Sequence, residues 1–266
     1  MSPESAPNGP PSQSRALAGS FLGTGKGRQL VLTWGAIFFT VTVTAIENKT
    51  WCPTIIARPL AAMTGLPWVF SLEVAWSILL VLNTAVLLAF VRYCERQPWY
   101  SIGIRMPSMK DVSFGLLAAL IDILIQGRIS RLMFGAVVPQ ARHSPAPFDQ
   151  IPFVAWVAFF VADALLEEIG NRAYVIERVA TLTGSVPAGA LLSFVFSVAF
   201  HLPSYGFKNT MRVSSMFLLL IGLYVWRRNV PCSVLAHVLI NTEIAVLERL
   251  PPPLLRPLLP LIGLGR

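Results

Sequence analysis

Charge is scarce in this chain. Only 13% of its 266 residues are Asp, Glu, Lys or Arg, 55% are hydrophobic, and mean hydropathy is +0.64. Soluble domains carry about 25% charged residues, so the composition argues against one and places the protein in a bilayer. Cysteine is rare too. Cys52, Cys94 and Cys232 have no CxxC or metal-ligand spacing, and their odd number gives no disulfide framework. HExxH is missing, and with it the helical zinc-peptidase signature. No internal repeat occurs, and residues 1–25 hold no apolar run, which argues against a cleaved signal peptide. Their Pro, Ser and Gly predict a disordered tail over 1–28. The net charge is +8, but the basic residues are scattered through short loops rather than gathered into a stripe. Nucleic acid is therefore not expected as a partner; an anionic lipid bilayer is.

What the sequence does have is long apolar runs. They fall at Leu30–Ile46, Val69–Val91, Val112–Gln126, Ile151–Ile176, Val186–Leu202, Met211–Trp226 and Pro231–Leu247. The expected fold is an all-α integral membrane protein, a polytopic bundle of about seven transmembrane helices. The short third, fifth and sixth runs, and the C-terminal PPPLLRPLLPLIGLGR, leave room for six to eight. The chain divides into the tail, N-terminal helices with a basic loop over 29–110, a core over 111–250 and a Pro/Leu-rich segment over 251–266. Arg15, Lys26 and Arg28 before the first run, and Arg92, Arg96, Arg105 and Lys110 after the second, place the N-terminus in the cytoplasm. Arginine greatly outnumbers lysine, which points to a GC-rich genome and a bacterial inner membrane.

Against this apolar background the polar residues stand out. Glu167, Glu168 and Arg172 lie inside the run Ile151–Ile176, where each ionisable group costs about 2.5–3.5 kcal/mol at a helix centre. Such groups persist when paired or facing a protein-lined cavity. Glu168 and Arg172 are four apart and share a helical face, while Glu167 points about 100° away with Asp163 and Asn171. Glu168 then has a partner, and Glu167 is left to face a cavity as a general base. Two of the three histidines, His201 and His237, fall in apolar runs; the third, His143, sits in a loop. Asn241 follows His237 by four residues, about 6 Å along the axis on the same face, which offers two donors for an oxyanion. Counting at about 1.5 Å per residue from the cytoplasmic helix ends, Glu167 lies roughly 16 Å deep, His201 roughly 21 Å and His237 with Asn241 roughly 9–15 Å. One membrane layer holds them all.

Taken singly, a His or Asn in a membrane helix is more often interhelical glue than a catalyst. Asp122, Glu73 and Asp163 are read that way. The six residues Glu167, Glu168, Arg172, His201, His237 and Asn241 are too many in one layer for glue alone, and are read as a site. Two other classes fit buried Glu and His: a non-catalytic membrane immunity or assembly protein, and a transporter or proton relay. The latter usually carries repeats and matched broken helices, which are not seen here.

EEIGNR fits EExxxR, HVLIN fits HxxxN, and His201 lies between them. In this order the three motifs resemble the signature of the CPBP family, the CAAX proteases and bacteriocin-processing enzymes also called Abi proteins. The stretch IGLYVWRRNVPCSVLAHVLIN and the SIGIR turn resemble the family as well, so the likeness covers roughly residues 100–247. The middle motif departs from FxxxH, with Ser197 four residues before His201; Asn171 and Ala173 also differ from the common pattern. The resemblance implies a glutamic-type intramembrane endopeptidase acting on a membrane-associated protein or peptide. It makes Glu167 the base, has His201 position the water, gives His237 and Asn241 the oxyanion, and has Glu168 with Arg172 organise the surroundings. No metal or other cofactor is then expected, with zinc held by Glu and His as the alternative.

Overall fold

The computed structural model describes residues 30–38, 51–134, 151–247, 249–251, 253–254 and 256–257. The expected tail, the part of the first run beyond residue 38, His143 and most of the C-terminal segment lie outside the described residues. Among those described, every regular element is helical and no strand occurs. After a helical stretch over 30–38 come seven α-helices: α1 (Trp51–Thr64), α2 (Trp68–Ala89), α3 (Met109–Phe134), α4 (Phe153–Leu166), α5 (Val175–Thr183), α6 (Val186–Arg227) and α7 (Val230–Leu247). A π-helical turn, Phe90–Cys94, prolongs α2, and a longer π-helical segment, Glu167–Tyr174, joins α4 to α5.

Among the described residues four helices are long and apolar enough to cross a membrane: Trp68–Cys94, Met109–Met133, Val186–Arg227 and Val230–Leu247. Their outer faces are apolar, with Val81, Leu82 and Val86 on α2 and Leu116, Leu117 and Leu120 on α3 all exposed. Exposed rows of this kind suit a lipid environment, where no polar rim is needed. The expected seven runs translate unevenly into this architecture. Helix α1 corresponds to none of them: it has 14 residues, includes Pro59, and at about 21 Å is too short to span the hydrocarbon. The fifth and sixth runs were expected as separate spans but are two arms of α6. At 42 residues, about 63 Å if straight, α6 is far longer than one span. It breaks at a single residue, Gly206, whose φ of 70° and ψ of 168° lie outside the helical region and are open chiefly to glycine. Pro203, three residues earlier, removes one N–H from the helical ladder and prepares the break.

Helices α4 and α7 pack together at the centre, with α2 and α1 stacked beyond α4 and α3 beside both α6 and α7. Two contacts are close enough to demand glycine. A Cβ on Gly115 of α3 would lie 2.8 Å from the Cys232 carbonyl of α7, and one on Gly189 of α6 would lie 2.6 Å from the Ile176 carbonyl of α5. The helices touch there backbone to backbone.

One end of the bundle is tied by charge. Arg178 donates to Glu95 at 2.9 Å and to Ser101 at 3.1 Å, and the Tyr174 hydroxyl donates to the same Glu95 at 2.8 Å. Arg228 pairs with Glu177, which also accepts from Tyr224 at 2.9 Å. Arg227 donates to Asp111 at 2.9 Å, and Asp111 closes a reciprocal cap with Ser108 at the start of α3. Asn229 caps α7 through Cys232 N–H, and Ser185 caps α6 through Ala188 N–H. The helices that carry the acidic motif, the histidines and Asn241 are thus fixed in depth at one end.

Gly189→Ala is expected to force α5 and α6 apart against a backbone carbonyl that cannot rotate away. The cost should be about 1–3 kcal/mol. It is checked by a lower thermal midpoint of the purified protein in detergent, with Gly222→Ala, where nothing lies within 4 Å of the new methyl, as the comparison.

Candidate active site

The π-helical segment is the sequence EEIGNRAY itself, all eight residues of it buried. A π-helix closes its hydrogen bonds over five residues instead of four, and that alters which side chains stack. Glu168 and Arg172 still meet, as the four-residue spacing predicts, and form an ion pair with both side chains wholly buried. Arg172 also comes within 3.6 Å of Glu167 Oε2, because residues five apart are brought together by the wider turn. The expectation that Glu167 would be unmatched is therefore corrected: one guanidinium serves both acids. Arg172 is held further by the ring of Phe217, 5.9 Å from its centre.

His201 enters from the first arm of α6. Its Nδ1 is 2.8 Å from the Ser197 carbonyl, which can only accept, so Nδ1 carries the proton. Its Nε2 then faces Glu167 Oε1 at 3.7 Å. The phenylalanine missing at position 197 is not needed to fix this ring, since the bond uses the backbone. An aromatic neighbour comes instead from across the Gly206 break, where Phe217 lies 4.7 Å from the imidazole, and Tyr205 meets its edge at 4.9 Å.

Helix α7 supplies the remaining pair. His237 is buried, and its Nδ1 donates to Glu168 Oε1 at 2.7 Å. With that proton engaged, His237 can offer a second hydrogen bond only from Nε2, and only as imidazolium. Asn241 donates through Nδ2 to Asp163 Oδ2 at 3.4 Å. Asp163, read from the sequence as glue, thus belongs to the cluster, one helical turn before Glu167. Its partner sits 78 residues away, so only its position on the Glu167 face could have signalled it. All six predicted residues come together in one buried polar cluster. Among the described residues no group of three or more His, Cys, Asp and Glu is placed to hold a metal ion.

A second polar cluster adjoins the first. Gln126 Nε2 donates to Asp122 Oδ2 at 2.8 Å, and the Arg212 guanidinium donates through Nη1 to Gln126 Oε1. Glu243 of α7 lies within electrostatic reach of both Asp122 and Arg212. Tyr205 lies within electrostatic reach of Asp163 and Glu167 of the first cluster and of Arg212 of the second. Asp122 was read as glue; Arg212 and Glu243 lie toward the ends of their apolar runs, where a charge costs less and signals less.

Residues 149–242 match the family model described as type II CAAX prenyl endopeptidase Rce1-like. The matched stretch contains all six residues of the acidic, histidine and HxxxN motifs, in agreement with the resemblance to the CPBP family. No curated protein and no solved structure matches the chain.

Arg172→Ala should remove the guanidinium that pairs with both Glu168 and Glu167, at a cost of about 3–5 kcal/mol. Thermal melting in detergent should fall accordingly. The double change Glu168→Gln with Arg172→Met should recover part of that loss, because Gln can still accept from His237 and only Glu167 is left without the guanidinium. An unchanged melting curve for Arg172→Ala would refute the pairing.

Proposed function

We propose that this protein is an integral membrane endopeptidase of the CAAX-protease kind, hydrolysing a peptide bond of a membrane-associated protein or peptide with a water activated by Glu167. Four helices able to cross a bilayer and the match to a prenyl endopeptidase family support the broader statement. The finer one rests on a single observation. Glu167 Oε1 and His201 Nε2 face each other 3.7 Å apart, and His201 has committed its proton elsewhere. Two acceptors set at that distance suit a molecule with two protons to donate, and water is such a molecule.

In this reading the water donates one hydrogen bond to Glu167 and one to His201, which leaves an oxygen lone pair for the scissile carbonyl carbon. As the C–O bond forms, the water proton passes to Glu167, and the carbonyl π electrons move onto oxygen. His237, charged through its contact with Glu168, and the second amide hydrogen of Asn241 stabilise that oxyanion. The proton held by Glu167 then goes to the leaving nitrogen as the C–N bond breaks, so acid and base are one residue in two steps. Arg172 stays paired with both carboxylates between turnovers, and Asp163 holds the Asn241 amide plane. The N-terminal side is assigned to the cytoplasm on the basic loops, and the membrane to a bacterial inner membrane on composition.

Glu167→Gln keeps the shape of the side chain and removes its basicity. Turnover should fall by about 10²–10⁴ while the protein stays folded and inserted. The comparison of membranes carrying wild type and Glu167→Gln, searched for new C-termini, should yield cleaved proteins only with the wild type. Near-normal turnover by the variant would overturn the assignment.

No step of this scheme uses a metal ion. Cleavage is expected to survive exhaustive chelation of the purified enzyme; activity lost on chelation and restored by zinc would replace the glutamate-only mechanism with a Lewis-acid one.

A further inference from the structure

Arg212 is 5% exposed and stands on the second arm of α6, past the Gly206 break. Its Nη1 donates to the neutral Gln126 amide, and it forms no ion pair with Asp122 or Glu243. Its other two nitrogens, Nε and Nη2, have no hydrogen-bond partner among the described residues. These two are the nitrogens whose N–H bonds run parallel along one edge of the guanidinium, the edge that grips a carboxylate through two bonds at once. A buried cation normally has its donors filled, since each unfilled one carries its full desolvation cost. Gln126 is itself anchored by donating to Asp122, so the guanidinium is held in place by a chain of hydrogen bonds that does not use the gripping edge.

We infer that Arg212 is a substrate-recognition residue that takes a carboxylate of the bound peptide along its Nε–Nη2 edge. The inference rests on the endopeptidase reading above. Position favours substrate over a free anion: Tyr205, whose ring meets His201, is within electrostatic reach of both Arg212 and Glu167. Gln126, which accepts from Arg212, and Tyr205, within its electrostatic reach, are only half-buried. Asp122 and Glu243 oppose an incoming anion. They limit how tightly the carboxylate is held, which suits a product that must leave. The carboxylate has two possible sources, the C-terminus of the peptide or an acidic side chain.

The test uses full-length protein in proteoliposomes and synthetic peptides spanning the cleavage sites found with the wild type. Each is made with a free C-terminal carboxylate, with a C-terminal amide, and as the amide with its Asp and Glu replaced by Asn and Gln. Wild type should cleave carboxylate-bearing peptides with a KM about 10–100-fold below that of the fully neutral form, the range of a charge-assisted hydrogen-bonded pair. Loss of preference on C-terminal amidation alone assigns the C-terminus; loss only on replacing the acids assigns the side chain. Arg212→Gln should bring the ratio to about one, and Arg212→Lys, which keeps the charge and loses the parallel edge, should restore only part of it. Equal KM for all three peptides with the wild type overturns the inference even if both variants fail to fold. So does an Arg212→Gln that raises KM for charged and neutral peptides alike. If Glu167→Gln cleaves these peptides as fast as wild type, the glutamate reading fails independently of Arg212; if wild type cleaves none, the endopeptidase reading falls and the inference with it.

Discussion

One buried cation governs this structure. Arg172 has no exposed surface, and it touches two carboxylates that would otherwise be isolated in a low-dielectric interior. Without it both carboxylates would lose the guanidinium they share, and the penalty for an unpaired buried charge exceeds any packing gain at the same position. The consequences spread outward in order. Glu168 also accepts from His237 and so ties α7 to the π-helical segment. Glu167 is left with one oxygen toward Arg172 and one toward His201.

A pairing so sensitive to distance needs rigid supports, and the bundle supplies them away from the site. The Glu95–Arg178, Glu177–Arg228 and Asp111–Arg227 contacts lie together at one end of the bundle. They set the helices in depth, and backbone-close packing at Gly189 and Gly115 sets their separation. Polar interactions thus do two different jobs in this molecule. At the end they locate helices; in the middle they gather the acidic motif, the two histidines and Asn241.

Much of the site could be read in the sequence because membrane interiors make polar residues conspicuous. The Glu168–Arg172 pair follows from four-residue spacing alone. What was not legible has definite causes. Spacing arithmetic assumes about 3.6 residues per turn, and the π-helical segment breaks that assumption where it matters, which is why Arg172 reaching Glu167 was not foreseen. Asp163 bonding Asn241 and Phe217 packing on His201 are contacts between distant segments, set by packing rather than pattern. Helix α1 was missed because two prolines in WCPTIIARPL read as interruption. The join of two expected spans into α6 turned on one glycine, and a single backbone conformation leaves no trace in hydropathy.

The π-helical segment also makes the number of residues a structural quantity in its own right. Each widened turn accommodates one residue more than an α-helix would over the same length. Removing a single residue between Glu168 and Tyr174 would let the segment relax to α-helix, turning α5 by about 100° relative to α4. Glu177 and Arg178, which meet Arg228 and Glu95 from their present faces, would then point elsewhere. The helical end contacts therefore act as a gauge on the length of the acidic motif: substitutions within it change chemistry, whereas an insertion or deletion dismantles the alignment of the two halves of the bundle.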